Sequence, residues 1–598
     1  METISPRSVT QSQKGKRMAN LSKQSQQEEY RELTIASLVL GVVIGAIMTC
    51  AFVYIGLKLG FTMGGSTVAA ILGFAVLRGV MGKGSIIENN INQTVASGVN
   101  NASAGIVFTL PALFLLSETD QSIEVEALPA ILAAIGGSFL GIAVIIPLRK
   151  QMIEFERLKF PSGVAVSTLL KSPGAGLHQA RMLLIGVSIA TVVHILANMA
   201  IIPEEIHMTS TLGFPWYWPV ALYVSFASLG AGMLSGEGGL PFVFGGILAW
   251  WIISPIAVNM GWVPPAETFQ ATDWADYDTW AEGVLYGQML RPLGIGVLIG
   301  GALAGVVASF PALRSAIKSL SQAAKLGQSS GAEEMSSTVL YAGILGSVVV
   351  LYLAAITSSG AISHLQAIGI SLVGTIWLTL AGLIVAQATG MTDISPLSGM
   401  SLIGVTLMYF MSDGNVVSAI ILGVAVCVGI GQCADMMGDL KSGHLIGAMP
   451  RRQQIAQFAV AWLGVPIAVG VLFFLWNTVG FGPKNPELSA PQGAALAEVM
   501  SSLSQGAAPV DKYASGAAVG LGLGLFPIAG LGVLVGLAMY LPFPITLTYG
   551  LGCLIAIWLE KRKGKSWIGD SLVPLAAGFI IGEAVTNLVA AMWLGLSS

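Results

Sequence analysis

The stretch LTIASLVLGVVIGAIMTCAFVYIGL, residues 33–57, holds no Asp, Glu, Lys or Arg in twenty-five positions. A helix that crosses a bilayer needs about 20 predominantly apolar residues. This stretch meets that length without a buried charge, and it is the first of many. Comparable runs follow at 61–81, 86–116, 127–147, 181–202, 214–234, 238–259 and 286–310. A second series lies at 337–358, 364–386, 388–411, 415–434, 454–477, 513–540, 543–559 and 571–594. The reading is an all-α polytopic membrane protein with about sixteen crossings.

Composition excludes the alternatives. Of 598 residues, 54% are hydrophobic and 10% are charged, whereas soluble domains carry about 25% charged residues. The 74 glycines suit close helix packing in lipid. A net charge of −3 gives no basic surface for nucleic acid. Cys50, Cys427, Cys433 and Cys553 lie in or beside apolar runs with no metal-ligand spacing, so no metal or cofactor is expected. Residues 1–32 are polar and rich in Ser, Gln and Lys. They read as a disordered cytosolic tail, with no apolar core and cleavage site of a signal peptide.

Loop charges set the orientation. With the N-terminus in the cytosol, Arg78, Lys83, Arg149, Lys150, Arg157, Lys159, Arg314, Lys318, Lys325, Lys441, Arg451 and Arg452 fall inside. The opposite loops hold acids: Glu118, Asp120, Glu124 and Glu126, then Glu204 and Glu205, then Glu267, Asp273, Asp276, Asp278 and Glu282. One loop breaks the rule, because EKRKGK (560–565) falls outside on a count of sixteen.

Two basic-flanked segments do not read as crossings. KFPSGVAVSTLLKS (159–172) is too short to span and reads as a re-entrant hairpin or half-helix. GDLKSGHLIGAMPRR (438–452) occupies a similar place further on, and "LKFPSG" (158–163) echoes "LKSG" (440–443). The expectation is two similar eight-helix halves, 33–310 and 337–598, joined by a cytosolic linker at 311–336. An even number of crossings per half would give both halves the same orientation, about an axis along the membrane normal.

Polar residues inside the apolar runs mark candidate sites. ENNINQTVASGVNNASAGIVFTLPAL (88–113) holds Asn89, Asn90, Asn92, Gln93, Asn100 and Asn101 within one helical stretch. Amides at this depth need partners from other helices, water or a ligand. Helix–helix adhesion would use them too, but the run is denser than adhesion requires. Carboxylates at membrane depth cost about 2.5–3.5 kcal/mol on insertion scales and pair, bind cations or protonate. Glu583 lies deep in the last run; Glu88 and Glu237 lie nearer run ends, where simple solvation is an equal reading. Asp435 and Asp439 close the run at 415–434. His194 sits mid-run, as a structural histidine or a proton relay. SGEGGLPF (235–242) and TGMTDISPLSGM (389–400), which contains Asp393, read as Gly/Pro breaks whose free backbone groups could meet a ligand.

These motifs, with TDISPLSGMSLIG (392–404), ADMMGDLKSGHLIGAMPRRQQIAQ (434–457) and GFIIGEAVTNL (578–588), resemble the oligopeptide transporter family. That family includes the yellow-stripe-like metal-chelate carriers, and the resemblance is closest to its prokaryotic branch. It implies a proton-driven secondary carrier of small peptides or peptide-like metal chelates in the bacterial cytoplasmic membrane. It also implies pathway roles for Asn89, Asn92, Gln93, Asn100, Asn101, Asp439, Lys441 and Glu583. The plant carriers tend to have Gly-Asp where this chain has Gly582-Glu583. The resulting expectation is alternating access. Asn89, Asn92, Gln93, Asn100, Asn101, Asp393 and Lys441 would bind substrate, and Glu583, with Glu88 or Glu237, would carry the coupling ion, a proton before sodium. A homo-oligomer is compatible with this reading. The absence of G-x-x-x-x-G-K-[ST] argues against an ATP motor. A solute channel could use the same amide helix as a filter. An intramembrane enzyme lacks support, since no H-E-x-x-H or G-x-S-x-G is present.

Overall fold

A computed structural model describes residues 32–597, apart from 62–64, 75, 78–83, 172–174, 264–276, 309–333, 359–361, 393–394, 396, 484, 486–487, 506–509 and 529. Most of the tail 1–32, nearly all of the linker 311–336, Arg78, Lys83, Glu267, Asp273, Asp276 and Asp393 therefore lie outside the described residues. The fold is helical, as the apolar runs require. The strands found are Glu205–His207 and Ala221–Tyr223, which pair antiparallel outside the helices. Among the described residues, twelve helices are long and apolar enough to cross a membrane, not sixteen. Part of the difference is that Phe226–Asn259 counts once and that 513–540 divides into two shorter helices.

Local sequence signals start and stop these helices. Thr34 caps Ile35–Leu59 in a reciprocal capping box with Ser37, and Gly60 ends it at φ 72°, a left-handed conformation open to glycine at little cost. Ser85 and Glu88 form the same box at the start of Ile86–Asn100, the amide helix. That helix continues through Ala102–Thr109 and Pro111–Ser117. Pro161–Lys171 is an eleven-residue half-helix, in line with its sequence. The segment 438–452 is different. Its first part is the end of the 31-residue helix Val416–Ile446, which stops at Gly447 with φ 83°, and Pro450–Val460 follows directly. Nothing before Gly447 breaks the hydrogen-bond ladder, so no re-entrant turn forms there.

The run 513–540 also resolves differently from the single crossing expected. It is two helices, Val510–Gly524 and Leu531–Tyr540. Gly516 packs on Leu293 and Gly520 on Val297, so the first runs parallel to Arg291–Ala308. Gly532 meets Gly301 and Gly536 meets Leu298, so the second runs back. Pro527 and Gly530, whose φ is 72°, make the reversal. His178 Nε2 lies 2.9 Å from Ser571 Oγ, and Gln179 donates to Asp570 at 3.3 Å. Lys171 donates to the Leu445 carbonyl at 2.8 Å. The 560–565 loop accordingly shares a face with Arg149, Lys441, Arg451 and Arg452, and the exception to the charge rule disappears.

Helices from 33–310 interleave with helices from 337–598. Ala127–Ile145 packs along Val416–Ile446, where Gly137 meets Ala425 and Gly141 meets Gly429, close enough that backbones touch. Ala175–Asn198 packs along Val573–Ser597 through Gly186, Gly578 and Gly582. The two segments make reciprocal contacts. The Phe160 N–H, before Pro161–Lys171, donates to the Gly390 carbonyl at 2.9 Å. The Ala490 N–H, before Pro491–Gln505, donates to the Leu57 carbonyl at 2.8 Å. Phe160 and Ala490 both have positive φ, at 43° and 46°, and each precedes a Pro-x-Gly start. The amide helix pairs with Val416–Ile446 in the opposite direction, Gln93 opposite Asp439 and Gly105 opposite Val428. Corresponding elements thus run antiparallel, unlike the same-orientation repeat expected above.

Candidate functional site

A cavity of about 450 Å³, lined by both polar and apolar side chains, lies where these reciprocal elements converge. Three groups of residues build it. Ser97, Asn100 and Asn101 come from the amide helix, and Asp435 and Asp439 from Val416–Ile446. Ser66, Ser162, Ser398 and Gln492 come from the first turns of Gly65–Phe74, Pro161–Lys171, Leu397–Met411 and Pro491–Gln505. The first turn of a helix presents N–H groups without intrahelical partners and the positive end of the dipole. The cavity thus offers donors from four helix starts and two carboxylates within one space, with Phe52, Phe61 and Phe108 as apolar wall.

Hydrogen bonds hold the carboxylates. Ser97 Oγ donates to Asp435 Oδ1 at 2.6 Å and sits 3.0 Å from Ser66 Oγ, which donates to Asp439 Oδ1 at 3.1 Å. Gln93 Nε2 also donates to Asp439 Oδ1 at 2.5 Å, and Gln457 Nε2 to Asp435 Oδ2 at 3.2 Å. Gln453 ties Thr94 to the Asp439 carbonyl, each at 3.0 Å. One acceptor and one donor remain open. Asp439 Oδ2 and Asn101 Nδ2 are buried without a hydrogen-bond partner.

The residues singled out from sequence divide between this cavity and other tasks. Asn100 and Asn101 line it, and Gln93 touches it through Asp439. Asn89 donates to the Ala70 carbonyl and Asn92 to the Ser37 carbonyl, both at 3.1 Å, joining helices away from the cavity. Lys441 is buried beside Gly163 and is not part of the lining. Glu88 accepts from the Ser85 N–H at 2.9 Å as a helix cap. Glu237 is exposed on the turn Gly236–Gly239. Asp393 is outside the described residues, but its neighbours Thr389, Ser395 and Ser398 line the cavity.

Glu583 forms a separate, fully buried node. Lys58 Nζ and His194 Nε2 each lie 2.8 Å from its carboxylate. Ser225 Oγ donates at 3.0 Å and the Ala227 N–H at 2.7 Å, from the start of Phe226–Ser235. Lys58 also lies 4.6 Å from the centroid of the Tyr223 ring. Four segments of the chain meet on this one carboxylate, which contributes nothing to the cavity wall.

Sequence reading passed over Ser66, Gln453, Gln457, Gln492 and Lys58, and gave Asp435 no role. A signal was present. Gln93 and Ser97, Asp435 and Asp439, and Gln453 and Gln457 are each four apart, so three helices each turn a polar pair to one face. Three polar faces among apolar helices bury one another.

Relatives match this chain along nearly its whole length. A Haemophilus influenzae chain provisionally named an oligopeptide transporter is 27% identical over 91% of this chain and 93% of its own length. The metal-nicotianamine transporter YSL2 of Arabidopsis thaliana is 23% identical over 93% of this chain and 92% of its own. Residues 32–594 match the family model described as OPT oligopeptide transporter protein, and the chain belongs to that family of transporters.

Proposed function

We propose that this protein is a proton-coupled secondary transporter that moves small oligopeptides or peptide-like metal chelates across the bacterial cytoplasmic membrane. The observation that carries the reading is the cavity of about 450 Å³, which sits at the reciprocal contacts of two antiparallel halves. Its size falls in the roughly 300–1,000 Å³ range of small-molecule sites. Peptides and their chelates carry carboxylates, amides and amines. The positive ends of four helix dipoles suit a carboxylate, Asn100 and Asn101 suit backbone amides, and the acidic wall suits cationic groups. Alternating access, with helices of both segments moving about this site, would expose it to each side in turn. The basic face, where Arg452 pairs with Glu32 at 3.3 Å, is the cytosolic one by the positive-inside rule. Glu583 serves this mechanism as an anchor joining four segments, because donors already occupy its carboxylate.

The test is uptake into proteoliposomes under an imposed pH gradient, with labelled trialanine and an iron–nicotianamine chelate. Saturable uptake that stops with an uncoupler is expected for at least one. Flux that never saturates would favour a channel, and no flux of either would defeat the reading.

A further inference from the structure

Asp435 and Asp439 are four residues apart on Val416–Ile446, on one face, and both line the cavity. Asp439 is 2% exposed. Polar groups facing them come from several packed elements, Thr389 and Ser398 of the same lining included. Ser66 comes from Gly65–Phe74, Gln93 and Ser97 from the amide helix, Ser162 from the half-helix, and Gln453 and Gln457 from Pro450–Val460. All of these are neutral. On their own helix, Lys441 and His444 lie further toward the basic face. Among the described residues no Lys, Arg or His forms an ion pair with either carboxylate. Glu583 is the internal contrast, since it has Lys58 and His194.

Two like charges one turn apart repel even on an exposed helix. In a membrane interior the charge must be offset by pairing or by a bound cation. Two serines bridge this pair, since Ser97 bonds Asp435, Ser66 bonds Asp439, and the hydroxyls lie 3.0 Å apart. Asp439 Oδ2 is left without a partner. We propose that Asp435 and Asp439 form the coupling-cation site of the carrier, holding one proton between them and releasing it when the cavity changes face. No covalent bond is made or broken beyond the O–H bond. The proton arrives from the aqueous side to which the cavity is open and leaves to the other. The site rests on the transport reading, and it accounts for coupling without Glu583.

Asp435→Asn, Asp439→Asn and Asp439→Glu are compared with wild type in two transport modes and one spectroscopic mode. Counterflow exchange of trialanine or iron–nicotianamine, whichever wild type carries, needs no gradient. Accumulation under an imposed pH gradient needs coupling, and a sodium gradient in a separate arm distinguishes the cation. Asp439→Asn, which also alters the cavity wall, is expected to slow exchange and, at steady state, to bring its accumulation ratio down to the equilibrium value. Asp439→Glu should keep part of both. Infrared difference spectra on acidifying purified protein should show a protonated-carboxyl band that Asp439→Asn removes and Asp439→Glu shifts. Full proton-driven accumulation by Asp439→Asn, sodium-driven accumulation by wild type without proton response, or a carboxyl band unchanged in both variants would overturn the proton site. Absence of any exchange by wild type would defeat the transport reading, and the infrared result would then decide the proton site alone.

Discussion

At the scale of single residues, the amide helix separates adhesion from recognition. Asn89 and Asn92 spend their donors on carbonyls of neighbouring helices, whereas Asn101 leaves its Nδ2 unpartnered at the cavity. Asn89→Ala is therefore expected to lower the thermal unfolding temperature in detergent while leaving the KM of uptake unchanged. A net hydrogen bond is worth about 1 kcal/mol. The Glu583 node should respond more strongly. Removing one partner of a buried ion pair costs about 3–5 kcal/mol. Lys58→Met and Glu583→Gln should each destabilise the protein. The double variant should lose less than the sum, because the pair is in contact at 2.8 Å. Thermal unfolding of the four proteins checks this, and strict additivity would mean the pair is uncoupled. Much of this was legible in the sequence, since a dense amide run and a deep Glu cannot be lipid-facing. Which amides bind and which adhere was not, because that depends on partners on other helices, from 19 to 352 residues away. Asn90, for example, meets Ser442 at 2.9 Å.

At the scale of elements, the half-helix 161–171 was readable because basic residues flank an apolar run too short to span. The segment 438–452 shares those flanks but extends an existing helix, and only the position of Gly447 distinguishes the two. Likewise the run 513–540 has the length of a crossing, and the reversal at Pro527 and Gly530 shortens it to two arms. Glycine placement is the firmest element-level constraint. A side chain at Gly141 would strike the Gly429 carbonyl, while one at Gly470 would meet nothing within 4 Å. Gly141→Val should abolish monodisperse protein on size-exclusion chromatography, and Gly470→Val should elute like wild type. Equal behaviour of the two would mean that Ala127–Ile145 and Val416–Ile446 do not pack backbone to backbone.

At the scale of the whole molecule, the arrangement makes a claim about sidedness and a claim about transport. The 560–565 loop shares a face with 451–452, so Lys563→Cys and Arg451→Cys should be labelled by an impermeant maleimide from the same side of the membrane. Ser122→Cys, in the loop between the amide helix and Ala127–Ile145, should be labelled from the other side. Membrane class and the half-helix were legible because hydropathy and loop charge are local properties. The inverted relation of the halves was not, because it rests on contacts such as Phe160 with Gly390 and Ala490 with Leu57 that no local pattern encodes. The central claim is that substrate sits in the cavity these contacts enclose. The most direct measurement is the KM of trialanine or iron–nicotianamine counterflow in wild type, Asn101→Ala and Asn89→Ala. Loss of one substrate hydrogen bond, about 1.4 kcal/mol at the upper end, corresponds to a roughly tenfold change. The account predicts that KM rises by up to about tenfold in Asn101→Ala and stays at the wild-type value in Asn89→Ala. An unchanged KM in Asn101→Ala, with a raised one in Asn89→Ala, would contradict it.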